Sequence, residues 1–176
     1  GGGAGGYRLG FRRVSTVFPH PILFGLFCSV MVANFFYVFY DRLVRRLSRT
    51  GVAIAMTFMS LSSGPNLGQM IQLILISWEQ IFRLVTARWH MAVVVGGTVL
   101  LSLQLGYPGG IARFIIETFA FNPRTGYGRL EILEYGGATV LNHPIFGIGL
   151  SGWDGPWWRP ASVDNFWLLT AMRYGI

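Results

Sequence analysis

The chain contains no lysine, a single cysteine and few charges of either sign, and each scarcity removes a class of function. Charged residues make up 12% of its 176 residues, about half the roughly 25% usual in soluble domains. A soluble fold covers its surface with charge, so this composition argues against a soluble enzyme, a disordered chain and a secreted module alike. With Cys28 alone in an apolar run, neither a disulfide framework nor a cysteine-based metal site is available. All 14 basic residues are arginine and outnumber seven acids, for a net charge of +7. They punctuate apolar runs instead of lining a polar face, so they read as topology determinants and site residues and not as a nucleic-acid footprint.

What remains is apolar: 52% hydrophobic and 15% aromatic. A membrane-spanning helix needs about 20 mostly apolar residues. Residues 22–40 qualify, ended by Asp41. A second candidate, 46–63, needs its flanking arginines to snorkel and is closed by Gly64 and Pro65. A third, 67–85, carries Glu79 and Arg83, and a fourth covers 89–105. Residues 106–165 change character, rich in Gly, Pro, Trp and Arg, before 166–176 begins a further apolar run. The expected fold is therefore all-α: a multi-pass transmembrane bundle of about four full spans plus a truncated fifth, with a long extracytoplasmic loop holding short interfacial helices. It is read as one membrane domain. The chain opens on Gly1 without a Met and stops at Ile176 inside an apolar stretch, so it is expected to be a fragment of a longer protein.

Arginines set the orientation. Arg42, Arg45, Arg46 and Arg49 follow the first span, and Arg83 and Arg88 join the third to the fourth; the positive-inside rule puts both groups in the cytoplasm. The turn at 62–66 and the segment 106–165 then lie outside, with Arg8, Arg12 and Arg13 as counter-examples.

Several residues can carry chemistry. Gln69, Gln72, Glu79, Gln80 and Arg83 share one side of a helix. Such a stripe is either an i, i+4 Glu79–Arg83 pair with glutamines bonded to neighbouring helices, or a polar conduit. Residues 111–121 suit a short interfacial helix with Arg113 and Glu117 paired at i, i+4. Arg124, Arg129 and Arg159 could grip a diphosphate bidentately or simply anchor lipid headgroups. Around Asp154, Trp153, Trp157 and Trp158 form either an interfacial belt or stacking faces for sugars. His20 and His143 each precede a proline and read as helix-entry residues, since no third ligand at a zinc spacing accompanies them.

In order along the outer segment stand Gly128-Arg129, the turn NHPIFGIGL at 142–150, Asp164-Asn165 opening an apolar run, and Gly175-Ile176 closing it. With Phe18-Pro19-His20-Pro21 and Leu61-Ser62-Ser63-Gly64 upstream, this succession resembles the O-antigen ligase and polymerase family of bacterial inner membranes, over nearly the whole chain. The resemblance implies a glycosyltransferase that moves a glycan from an undecaprenyl-diphosphate carrier to an acceptor glycan or lipid among membrane lipids, on the outer face, with no cofactor, metal or nucleic acid. It implies Arg129 and Asp164 as catalytic residues: Arg129 stabilising the diphosphate leaving group, Asp164 accepting the acceptor's proton where ligases have histidine. It also implies Asn165 as a substrate contact, and the arginine and tryptophan readings add Arg124, Arg159 and Trp157. Where the family has an arginine in a Ser-Arg-Gly motif this chain has Ser63, so a second diphosphate contact is either missing or supplied by another residue such as Arg12, Arg13 or Arg124. Aspartate at 164 favours the exopolysaccharide and O-antigen polymerase branch over the ligases. The competing reading is a polysaccharide or lipid transporter subunit, with the stripe through Gln72 and Glu79 as its path.

Overall fold

A computed structural model describes residues 7–8, 10–153, 155, 163 and 165–176. Among them the architecture is helical. Two two-residue strands, β1 (Tyr7–Arg8) and β2 (Phe11–Arg12), form a minimal antiparallel hairpin, and seven helices follow: α1 (Pro21–Val38), α2 (Leu43–Met59), α3 (Ser63–Ile81), α4 (Arg88–Gly106), α5 (Gly110–Phe119), α6 (Pro123–Asn142) and α7 (Phe166–Tyr174). The chain divides into two compact units, Gly1–Phe121 and Asn122–Ile176.

In the first unit α1, α2 and α3 pack on one another, and α4 packs on α5. Helix α1 begins as its sequence dictates: Pro21 occupies the first turn, where its missing N–H is no loss, and His20 caps it, Nδ1 accepting from the Ile22 amide at 3.2 Å. The helix is apolar on every side. Its inner face buries Phe24, Cys28, Val32 and Phe36. Gly25 marks the closest approach, since a Cβ there would run into the side chains of Ser60 and Pro65.

Helices α1 and α4 are long and apolar enough to cross a membrane, which points to membrane association. Not one residue of α4 is buried, although its surface consists largely of Val, Leu and Met. An apolar cylinder of that kind finds no partner in water. Helix α2 is of a different character. Its first half carries the arginines, and these stack on the aromatics that end α1: the Arg46 guanidinium lies 4.5 Å from the Phe36 ring centre and Arg49 4.1 Å from that of Phe39.

The turn between α2 and α3 is strained and heavily tied. Leu61 is buried with φ +46°, a left-handed conformation that costs a side-chain-bearing residue about 1–2 kcal/mol. The hairpin supplies the ties. Arg8 Nη1 donates to the Leu61 carbonyl at 2.8 Å, Arg13 Nε to the Ser60 carbonyl at 3.1 Å, and Arg13 Nη2 to Ser62 Oγ at 2.5 Å. The first two acceptors are carbonyls that the end of α2 leaves without helical partners. Burial, and then the neighbouring Arg8, push the Arg13 guanidinium below its usual value. Arg13→Met keeps the length of the side chain and removes its donors; it is expected to lower stability by about 1–3 kcal/mol, read as an earlier thermal transition of the purified protein in detergent.

Several boundaries differ from the sequence expectation, and α2 itself runs Leu43–Met59 where 46–63 was expected. Pro65 does not separate two helices but sits in the first turn of α3, where the amide it lacks has no intrahelical acceptor. Helix α3 consequently starts and stops four residues earlier than the expected 67–85. The segment 106–165, expected as a loop with short interfacial helices, contains the 20-residue helix α6. Two of its glycines lie on its packed face: Gly128, Ile132, Gly136 and Val140 recur every fourth position and all are buried.

Candidate functional site

The second unit is built by α6 against α7. Gly136 lets the helices close, because a Cβ there would collide with Leu168 and press on Met172, which is itself almost wholly buried. The turn after α6 then wraps the far end of α7. The Ile148 amide donates to the Met172 carbonyl at 2.8 Å and the Gly149 amide to the Arg173 carbonyl at 3.0 Å, while the Ile176 amide returns a bond to the Pro144 carbonyl at 2.7 Å. Two of the glycines are obligatory. Gly147, at φ +61°, faces the backbone of Met172 and Arg173, and Gly175, at φ +82°, faces the carbonyls of Pro144 and Ile145. The two glycine-bearing motifs of the sequence are therefore one interlocked structure. His143 belongs to it as the residue that ends α6, not as one that enters a helix.

At the other end of α7, Arg129, Ile132, Leu133 and Asn165 line a cavity of about 200 Å3. Arg129 comes from the first half of α6 and is exposed. Ile132 and Leu133, three and four residues later, fall on the same side of the helix by its 3.6-residue period and supply apolar walls. Asn165 is the N-cap of α7, its Oδ1 accepting from the Leu168 amide at 3.2 Å. The cavity thus joins a permanent cation to the amide-rich, positive end of a helix, a combination that favours an anion.

Of the residues singled out in the sequence, Arg129 and Asn165 meet here. Arg124 lies five positions before Arg129 on α6, about 140° around the helix, exposed on another side. Asp164, Arg159 and Trp157, with Asp154 and Trp158, lie outside the described residues. The expectation for Asn165 changes in kind, since its oxygen is engaged in holding α7. Ile132 and Leu133 were missed, because their spacing from Arg129 has meaning only once 123–142 is read as helix.

The α3 stripe is answered in the first unit. Gln72 Oε1 accepts from the Ala33 amide of α1 at 3.3 Å, and Glu79 accepts the hydroxyl of Tyr37, also on α1. Both polar groups therefore bond a neighbouring helix. The expected Glu79–Arg83 pair does not form: α3 ends at Ile81, so Arg83 is off the helical register and Arg88 takes its place, 3.7 Å from Glu79. Arg113 and Glu117 do pair as expected, at 2.9 Å. At the α2–α3 turn Arg13 comes next to Ser62, one residue before Ser63, but its Nε and Nη2 are committed to holding the turn.

Comparison with protein-family models, with curated proteins and with solved structures yields no match to this chain. The site is read from its own residues.

Proposed function

We propose that the chain is part of a membrane glycosyltransferase that polymerises glycans carried on undecaprenyl diphosphate, of the O-antigen or exopolysaccharide polymerase kind, on the outer face of a bacterial inner membrane. The observation that supports this reading best is the cavity shared by Arg129 and Asn165, two residues separately implied by the resemblance and distant in sequence.

In this reading Arg129 grips the carrier diphosphate with its planar fork and meets the negative charge that grows on the leaving group, with the N-terminal end of α7 adding positive potential. Asp164, adjacent in sequence to the cap, takes the proton of the acceptor hydroxyl. The hydroxyl oxygen then bonds the anomeric carbon, the bond from that carbon to the diphosphate breaks, and undecaprenyl diphosphate departs with the electron pair. Fixed charge and a base suffice for this displacement, so the chain's own groups carry every step.

Expression of the complete reading frame in cells lacking it tests the activity. A long ladder of surface glycan on a gel supports polymerase; transfer of a finished glycan to a lipid core would make it a ligase, and neither product would overturn the proposal. The same reading takes α2 and α3 as spans as well, with the arginines of α2 in the cytoplasm. In a Cys28→Ala background, Ser48→Cys is expected to react with an impermeant thiol reagent only after the cells are opened, and Ser151→Cys in intact cells. The reverse pattern would put the Arg129 cavity on the wrong side for a lipid-linked glycan.

A further inference from the structure

Four arginines stand at the head of α2, Arg42, Arg45, Arg46 and Arg49, beside a single acid, Asp41. Two of them are committed. Arg46 stacks on Phe36 and Tyr40, and Arg49 on Phe39, which fastens α2 to the aromatic end of α1. Arg42 and Arg45 are exposed, and among the described residues neither side chain has an ion pair, a hydrogen bond or a ring contact. The pair instead lines a cavity of about 210 Å3 with Val38, Phe39 and Asp41, and Asp41 forms no ion pair with either. The first turn of α2 contains no acid, so the guanidiniums crowd the end of a helix where positive charge is disfavoured. Four guanidiniums beside one carboxylate leave an excess of positive charge that an anion would relieve.

The position of the cavity says which anion it meets. Helix α1 has 18 residues, about 27 Å at 1.5 Å per residue, close to the roughly 30 Å of a bilayer's hydrocarbon core. With α1 across a bilayer, its last turn reaches the headgroup layer and sets Arg42 and Arg45 among lipid phosphates. The cavity is smaller than the range of about 300–1,000 Å3 typical of ligand pockets, which suits a headgroup phosphate and its glycerol, with the chains left in the bilayer, better than a whole soluble ligand. Val38 and Phe39 give it the apolar side that an amphiphile requires. A zwitterionic headgroup would bring a further cation to the patch, whereas an anionic one brings net negative charge.

We propose that Arg42 and Arg45 hold the phosphate of an anionic phospholipid, with its glycerol and the first carbons of its chains along Val38 and Phe39. The site rests on α1 crossing a bilayer and not on glycan transfer, so it stands if that reading fails.

The test uses phosphatidylglycerol carrying a diazirine near the glycerol end of one chain, photolysed with the purified chain in phosphatidylcholine nanodiscs and followed by peptide mapping. The peptide containing Val38 and Phe39 is expected to be labelled at least about fivefold more by this probe than by phosphatidylcholine carrying the same diazirine, since each arginine near a membrane surface favours an anionic lipid by about that factor. Arg45→Gln should lower the labelling about fivefold with an unchanged thermal transition, because the side chain is exposed and has no partner to lose. Arg45→Lys keeps the charge but not the planar fork and should restore only part of it. Arg83→Gln, which removes an exposed arginine beyond the end of α3, should leave it unchanged. Equal labelling by the two probes, an undiminished signal in Arg45→Gln, or the same loss in Arg83→Gln would each overturn the site. Displacement of the probe by an equal concentration of inorganic phosphate would give the pair to a free anion and overturn the lipid assignment.

Discussion

Replacing Arg129 with alanine is expected to lower glycan polymer formation by about 10²–10³-fold, the loss typical when one preorganised group that stabilises transition-state charge is removed. The side chain is exposed, so its removal leaves the packed face of α6 untouched and the protein should reach the membrane in normal amount. Arg129→Lys separates charge from geometry. A lysine keeps the positive charge but not the planar pair of donors that matches a phosphate, so it should recover only part of the activity. The measurement is the length distribution of the surface glycan at equal membrane level of the protein. A wild-type ladder from the alanine variant would end the assignment of Arg129 to the donor diphosphate.

The second large effect is structural and needs no substrate. Gly147→Ala places a Cβ in a backbone already at φ +61° and against the main chain of Arg173, which has nowhere to go without breaking the amide bonds that the turn makes to the end of α7. Left-handed strain of about 1–2 kcal/mol combines with overpacking of about 1–3 kcal/mol. Gly149→Ala is the control. Its φ is +63° but a Cβ there meets open space, so it should show the strain alone. Protease susceptibility of the second unit and the thermal transition in detergent read both. Equal destabilisation by the two substitutions would mean that the turn does not press on α7 as described. The effect should extend to the Arg129 cavity, because α7 supplies Asn165 to it.

The helices that could be read from the chain are those whose evidence lies within one element. Residues 22–40 and 89–105 are mostly apolar runs free of Asp, Glu, Lys and Arg, and α1 and α4 fall within two residues of them at either end. Asn165 and His20 were legible as helix starts for the same local reason, and both cap. Helix α6 was not legible. Its glycines lower intrinsic helix propensity by about 1 kcal/mol each, and at Gly136 what offsets that is close packing on Leu168 and Met172, thirty and more positions away. The site divides in the same manner. Arg129 and Asn165 could be picked out by type and order, whereas the walls at Ile132 and Leu133 are consequences of packing that no local pattern announces. Glu79 shows the converse error: its i, i+4 partner was chosen on a helix assumed to continue, and the helix stops first.

The bonds from Arg13 to the α2–α3 turn join residues 47 and 49 positions apart. In topological terms they close a large ring, encircling the whole of α1 and α2, in a chain whose lone cysteine rules out closing it covalently. A disulfide over such a span would act mainly by narrowing the unfolded ensemble. The arginine clasp cannot, since it exists only after the turn has formed. It contributes nothing to bringing the ends of the ring together and acts instead on how long they stay together, so its loss should show in the rate of opening far more than in the rate of assembly.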